Sequence, residues 1–371
     1  MDPKFSITLL FLFILFVCFL MMLVEIDIMS MLGIIARLNP NLKIMMFYDF
    51  DPKFLNGIAN VISPDGASIS DMVTAEANWK YKVSGLAGLP TTVFDRAHHG
   101  LHKGWSEAID AFVANTLTPG LHNGTFIGVF LGDEICCSGV PLSNLTSVLA
   151  KLRSSLAGQK CVLYTNECTP PIDRWDKIPH DLDLISVDFY DQHNTNGTAE
   201  VEQNRKYLLQ KLYPKLHPHQ GVILVPGIFA SDPVHCREGN VSCPLDAQAE
   251  QIVIKLEGFF EWAKMDPKIH GFNPWHFNNR STPQSPGWWD QRLGASSMPT
   301  VVSKLREIGQ FIIENEKFGE WDKTIYVSLA CFVISMFIIL NCAKYRNKRT
   351  EDENEVKPDR KYEVLTEEIC K

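Results

Sequence analysis

The chain has 371 residues, 46% of them hydrophobic, with 35 Lys and Arg against 43 Asp and Glu and a formal net charge of −8. This balance excludes a protein that binds nucleic acid through bulk positive charge, and the apolar content excludes a chain too polar to bury a core. Part of that content sits in two runs without a charge, the 20 residues Phe5–Val24 and the 18 residues Ile325–Cys342.

The first run follows Lys4 and precedes Glu25 and Asp27, which predicts a cytoplasmic start and an outward-facing continuation. Residues 1–24 therefore read as a signal peptide or a retained signal anchor, since the run is longer than the ~7–15 residues of a usual signal core. The second run has Trp321 and Tyr326 at its upstream side and Lys344, Arg346, Lys348 and Arg349 after it. That pattern predicts a transmembrane helix over 325–342 with a cytoplasmic tail over 343–371. The expectation is a single-pass membrane protein, or a two-pass one if the first run is retained, in the plasma membrane or endomembrane system. Its main domain, residues 25–318, would be extracellular or lumenal.

Five Asn-x-Ser/Thr sites, at Asn123, Asn144, Asn196, Asn240 and Asn279, lie between the two runs and none lies in the tail. Six of the ten cysteines also lie there: Cys136, Cys137, Cys161, Cys168, Cys236 and Cys243. An even count suits an oxidising compartment. Cys236 and Cys243 are near enough in sequence to close one loop, and pairing among the other four stays open. The spacing lacks the paired C-x-x-C knuckles of a zinc site, so no metal is expected. The tail carries eight basic and eight acidic residues and little apolar content, which predicts disorder. Within it, Tyr362-Glu-Val-Leu365 resembles the tyrosine-based sorting signals that clathrin adaptors read.

Between the runs, seven short apolar or β-branched segments alternate with amphipathic ones: Ile44–Tyr48, Thr91–Phe94, Phe126–Leu131, Cys161–Thr165, Leu184–Tyr190, Val222–Val225 and His270–Trp275. Trp105, Ala108, Ile109, Phe112 and Val113 share a helical face, as do Val148, Leu152 and Leu156; Ile252, Ile254, Leu256, Phe259 and Phe260 form a third stripe. Repeated strand and helix predict βαβ units and a parallel sheet. No G-x-G-x-x-G and no P-loop marks a doubly wound sheet, which favours a (β/α)8 barrel. Counting back from His270–Trp275 as strand eight makes Phe126–Leu131 the fourth and Ile44–Tyr48 the second. The first is then either Met22–Met29 or absent.

In such barrels chemistry sits at the C-terminal ends of the strands. Those ends carry Asp49, Asp95 with Arg96, Asp133 with Glu134, Glu167, Asp188-Phe-Tyr190-Asp191, and Asn273-Pro-Trp275-His-Phe277. Five consecutive strands ending in Asp or Glu suggest a shared acidic rim. His98, His99 and His102 read as polar rim rather than metal ligands, and no G-x-S-x-G elbow is present.

This succession resembles the TIM-barrel glycoside hydrolase superfamily, in which an acid Glu ends the fourth strand, carboxylates and Tyr end the sixth, and a Trp on the eighth floors a sugar subsite. Gly132-Asp-Glu134, Asp188-Phe-Tyr-Asp191 and Trp275 match these in turn. The chain departs from the pattern in having no D-x-x-D-x-D-x-E series before Glu134 and no Glu at the end of Val222–Phe229. The resemblance implies a carbohydrate substrate, no cofactor, Glu134 as general acid and, as its partner, Asp188, Asp191 or Glu167 in that order, with Asp188 or Asp191 preferred. Asp49, Asp95, Glu167, Tyr190, Trp275, Trp288 and Trp289 are the expected sugar-binding set. Asp133, adjacent to Glu134 on an extended chain, is expected to point away from the mouth. The alternative reading is a barrel without catalysis that binds glycans as a receptor-like membrane glycoprotein.

Overall fold

A computed structural model describes residues 39–47, 58–62, 83–188, 196–231, 244–277 and 292–315. All belong to the first of two compact units, Met1–Asn315 and Glu316–Lys371. The N-terminal run, the predicted membrane span and the tail with Tyr362 and Leu365 lie outside the described residues. No helix among the described residues is long and apolar enough to cross a membrane.

Eight parallel strands form one sheet: β1 Ile44–Met45, β2 Val61–Ile62, β3 Ser84–Gly88, β4 Phe126–Asp133, β5 Val162–Cys168, β6 Leu184–Asp188, β7 Gly221–Leu224 and β8 Ile269–Phe272. Their spatial order is β1-β8-β7-β6-β5-β4-β3-β2, so chain neighbours are sheet neighbours and β1 returns to β8. This is the order of a (β/α)8 barrel. The open seam between β1 and β2 is bridged by one side chain. Asn60 donates its N–H to the Met45 carbonyl (3.1 Å). Its Oδ1 accepts the Met45 N–H (2.8 Å), and its Nδ2 donates to the Lys43 carbonyl (2.6 Å). Buried Asn60 thus supplies bonds that a two-residue β2 is too short to make as a ladder.

Two expectations are corrected. Ile44–Met45 is the first strand of the described eight-stranded sheet rather than the second, and Met22–Met29 lies outside the described residues. The third strand is Ser84–Gly88, and the expected Thr91–Phe94 instead leads into a small hairpin, Phe94–Asp95 with Gly100–Leu101. The cause is compositional. Ser-Gly-Leu-Ala-Gly carries little β-branched or aromatic signal, and its small residues suit a strand crowded on both faces.

Two apolar clusters divide the core. Inside the barrel, Met46, Val61, Leu86, Phe130, Tyr164, Leu184, Ile223 and Val225 pack together, with Trp275 against them. Outside, the alternate strand residues, such as Val129, Leu131 and Leu163, meet the helices. Helix α1 (Trp105–Phe112) buries Ile109 and Phe112, and α2 (Leu142–Leu156) buries Val148, Leu152 and Leu156, as their periodicity predicts. Helices α3 (Gly197–Tyr207) and α4 (Leu245–Met265) pack on each other. In α4 the expected stripe is wrong at Ile254, which is exposed, while Lys255 is fully buried and pairs with buried Glu200 of α3 at 3.0 Å. A stripe drawn from apolar residues alone cannot show a buried ion pair.

Asn60→Ala leaves the buried Met45 N–H without its side-chain partner, at about 1–3 kcal/mol, and the part-buried Lys43 carbonyl without its own, at about 1 kcal/mol. The expected result is a loss of about 2–4 kcal/mol in denaturant unfolding with an unchanged slope. A loss under about 0.5 kcal/mol would show that the seam is held by other means.

Candidate active site

The site is built on a misregister in β4. Phe130 stands opposite Tyr164 of β5, yet Asp133 stands opposite Asn166, so three steps along β4 match two along β5. This is a β-bulge, a device that re-aims the side chains beyond it. Val129 and Leu131 face the helices and Phe130 faces the axis, so plain alternation would send position 132 inward and 133 outward. The bulge passes through Gly132, whose φ of 147° suits glycine, and brings Asp133 inward. Glu134 then takes a left-handed conformation (φ 51°), uncommon for a residue with a Cβ, and donates its N–H to the Asn166 carbonyl at 2.8 Å. The expectation that Asp133 points away from the mouth is therefore corrected, because the chain is not extended where it carries the two carboxylates.

Behind Asp133 a chain of hydrogen bonds crosses the barrel interior. Asn273 of the segment after β8 donates through Nδ2 to the Tyr164 hydroxyl (3.3 Å), which stands 2.7 Å from Ser186 Oγ. Ser186 Oγ donates to Asn166 Oδ1 (2.5 Å), and Asn166 Nδ2 donates to Asp133 Oδ1 (2.7 Å). Since the Ser186 proton is committed to Asn166, Tyr164 must donate to Ser186. Every proton in the series points toward the Asp133 carboxylate. Arg96 reaches the same place, its guanidinium close enough to Gly132 that a Cβ there would stand 3.1 Å from it.

The loop that carries Glu134 is fixed from three sides. Fully buried Glu167 accepts the Cys136 N–H on both oxygens (3.1 Å each) and the Cys137 N–H on one (3.2 Å). Cys137 is disulfide-bonded to Cys168 at the end of β5. His99, on the hairpin after β3, bonds through Nδ1 to the Ser138 carbonyl (2.8 Å), and its ring lies where any Cβ at Gly139 would collide.

Three carboxyl groups share this end of the barrel. Burial pushes Glu167 up to about 7, helped by the charges of Glu134 and Asp133 and opposed by the two backbone N–H groups. Burial also raises Glu134, with the Asp133 charge adding to it and Arg96 opposing. Asp133 is raised by burial, against the Asn166 bond and the Arg96 charge. Acid catalysis uses a carboxyl whose affinity for its proton is raised by burial and by a neighbouring carboxyl.

The remaining predicted residues divide. Asp188 ends β6, half-buried, with its backbone opposite Cys168. Trp275, half-buried, continues from β8; its N–H bonds to the Pro226 carbonyl (3.0 Å), and its ring meets Phe229 edge-on at 5.0 Å. Asp95 lies in the hairpin, where it accepts the His98 N–H and pairs with the His98 and His102 rings. That supports the polar-rim reading of these histidines. Glu167 serves the loop rather than the open mouth. Asp49, Tyr190, Asp191, Trp288, Trp289, Cys236, Cys243, Asn240 and Asn279 lie outside the described residues. Asn123 and Asn196 are exposed and Asn144 half-buried. Asn196 caps α3 through Oδ1 and the Ala199 N–H. Cys136 and Cys161 are buried free thiols, both pushed up by burial, Cys161 to about 12. Asn166, Ser186 and Tyr164 were not foreseen as site residues; their signal is polar side chains at period two in otherwise apolar barrel strands.

No family model matches the chain, and no curated protein matches its sequence. Among solved structures, it is similar to an FMN-binding β-glucuronidase from Facaelibacterium prausnitzii L2-6, at 14% identity and a TM-score of 0.44 over 61% of this chain and 34% of that one. It is also similar to a GH113 β-mannanase from Alicyclobacillus acidocaldarius (13% identity, TM-score 0.41, 70% and 91% covered). A GH18 chitinase from Pseudoalteromonas aurantia gives 12% identity and a TM-score of 0.37 over 69% and 99%. The chain spans about a third of the length of the β-glucuronidase. The barrel itself rests on the strand order above.

Between pH 4.5 and about 7 the folded chain holds a proton on Glu167 that the unfolded chain releases, because its carboxyl is raised from 4.5 to about 7. Its contribution to stability is full below about pH 4.5 and is lost as pH rises through 7, by about 3 kcal/mol at most. Glu167→Gln keeps an oxygen for the two N–H groups and removes the titration. Unfolding free energy measured from pH 4.5 to 7.5 is expected to fall less steeply in Glu167→Gln than in the parent; coincident slopes would contradict the assignment.

Proposed function

We propose that this chain is a membrane-tethered glycoside hydrolase that acts on extracellular or lumenal glycans, with Glu134 as general acid and Asp188 or Asp191 as the ionised partner. The observation that carries the reading is the pair Asp133 and Glu134 at the end of β4, turned by the bulge and the left-handed residue, with burial and the Asp133 charge both raising the Glu134 carboxyl against Arg96. Glycosidic cleavage needs one carboxyl to give a proton to the departing oxygen and a second to attack the sugar or activate water. Glu134, on the loop clamped by Glu167, supplies the first. Asp188, on β6 two strands away, supplies the second from across the mouth. Trp275 offers a ring whose orientation Phe229 fixes, and the C–H face of a pyranose stacks on such a ring.

Tethering rests on the two apolar runs and their flanks, and the glycan-bearing outer face rests on the sequons between them. In this reading Tyr362 and Leu365 in the tail engage a clathrin adaptor.

The test uses purified full-length chain, a panel of oligosaccharides and aryl glycosides, and Glu134→Gln. Loss of a general acid costs about 10²–10⁴-fold when the leaving group is poor and far less when it departs readily as a phenolate. A fall of at least about 100-fold on the natural glycan, with near-parent rates on an activated aryl glycoside, is the expected pattern. Undiminished cleavage of the glycan by Glu134→Gln would remove Glu134 from the role. Binding without cleavage by the parent would leave a glycan receptor instead.

A further inference from the structure

The disulfide at the site has a second chemistry. One carboxylate oxygen of Glu134 and the sulfurs of Cys137 and Cys168 all lie within 4.8 Å of one another. Ligands 2.0–2.3 Å from a tetrahedral zinc-type ion stand roughly 3.5 Å apart, so two thiolates and one carboxylate starting from this spacing need only small side-chain movements to surround an ion. Cys137 is exposed, which opens the bond to a reductant from solvent. The loop holding Glu134 does not depend on the disulfide alone, because the Glu167 bonds to the Cys136 and Cys137 N–H groups and the His99 bond to Ser138 remain when it opens.

We propose that reduction of Cys137–Cys168 converts this end of the barrel into a binding site for a borderline-soft divalent cation of the zinc class, held by Cys137, Cys168 and Glu134 with a fourth position open to water. A phosphine attacks one sulfur and the other leaves as a thiolate; water then hydrolyses the phosphorus–sulfur bond, so that disulfide, phosphine and water become two thiols and the phosphine oxide. The cation then displaces one proton from each thiol, and any proton on Glu134, to water, and is bound by two thiolates and the Glu134 carboxylate. The binding is independent of the glycosidase reading. Its consequence rests on that reading: a Glu134 that ligates a cation has no proton to give, so the disulfide keeps the acid available.

The probe is Co²⁺, whose bonds to thiolate give a charge-transfer band that nitrogen or oxygen ligands do not. Full-length chain is titrated before and after phosphine treatment, with the new thiols counted by alkylation and mass. Reduced parent is expected to take up one cobalt equivalent more, with the thiolate band, than reduced Cys168→Ser. Glu134→Gln is expected to keep the band and weaken binding about tenfold or more. Circular dichroism melts of the variants check that each remains folded, and Cys137→Ser repeats the comparison if Cys168→Ser does not fold. Equal cobalt uptake and equal bands in reduced parent and the serine variants would overturn the site, as would a reduced parent without a band. If Zn²⁺ suppresses cleavage in the reduced but not the oxidised chain, the consequence follows as well. A chain that cleaves no glycan in any state fails the glycosidase reading while leaving the cobalt result to be judged alone.

Discussion

The extra residue that β4 carries between Phe130 and Asp133 sets which side chains reach the mouth of the barrel. Without it, Gly132 would fill the inward position above Phe130 and Asp133 would lie among the helix-facing residues. With it, a carboxylate stands at the end of an interior series of Asn273, Tyr164, Ser186 and Asn166, and the following residue is turned into a left-handed conformation at the rim. The series is buried and each member has a partner within it, while Asn273 Oδ1, at its far end, has no hydrogen-bond partner among the described residues. A one-residue change of register in one strand thus places two adjacent carboxyls in one mouth, where strand periodicity allows only one.

The electrostatics follow from that placement. Asp133, Glu134 and Glu167 are close enough that each raises or is raised by another, and burial acts on all three in the same direction. Their tasks are set by what surrounds them. Glu167 is enclosed and committed to two loop N–H groups, so it is structural. Asp133 is raised by burial, while the Asn166 bond and the Arg96 charge oppose that rise. Glu134 is half-exposed, and Asp133 is its nearest source of repulsion. The geometry gives three similar groups three surroundings: an enclosed loop clamp, a carboxyl bonded to Asn166 and a half-exposed carboxyl at the rim.

Much of this barrel was legible in the chain. The fourth to eighth strands and the faces of α1 and α2 follow from apolar periodicity, and Glu134, Asp188 and Trp275 were marked by their place at strand ends. Three things were hidden, each for a physical reason. The first three strands were miscounted because Val61–Ile62 is too short and Ser84–Gly88 too small-residued to announce a strand, while Thr91–Phe94 has strand-like composition in a hairpin approach. The Lys255–Glu200 pair was invisible because burial of charge depends on a partner on another helix. The inward turn of Asp133 was missed because alternation assumes an extended chain, and neither the bulge nor the φ of Glu134 is a property of sequence spacing. The Cys137–Cys168 pairing likewise depends on strand neighbours that only the assembled sheet brings together.

The claim that the Asp133 charge raises the Glu134 carboxyl, proposed as the acid, is tested most directly by the alkaline limb of the pH profile of kcat/KM, which reports the acid of the free enzyme. Replacing Asp133 with Asn removes a charge that raises Glu134 and keeps a side chain of the same size beside Asn166. The account predicts that the alkaline limb of Asp133→Asn moves to lower pH than that of the parent, with cleavage retained at acidic pH. An alkaline limb that stays in place, or moves to higher pH, would contradict it.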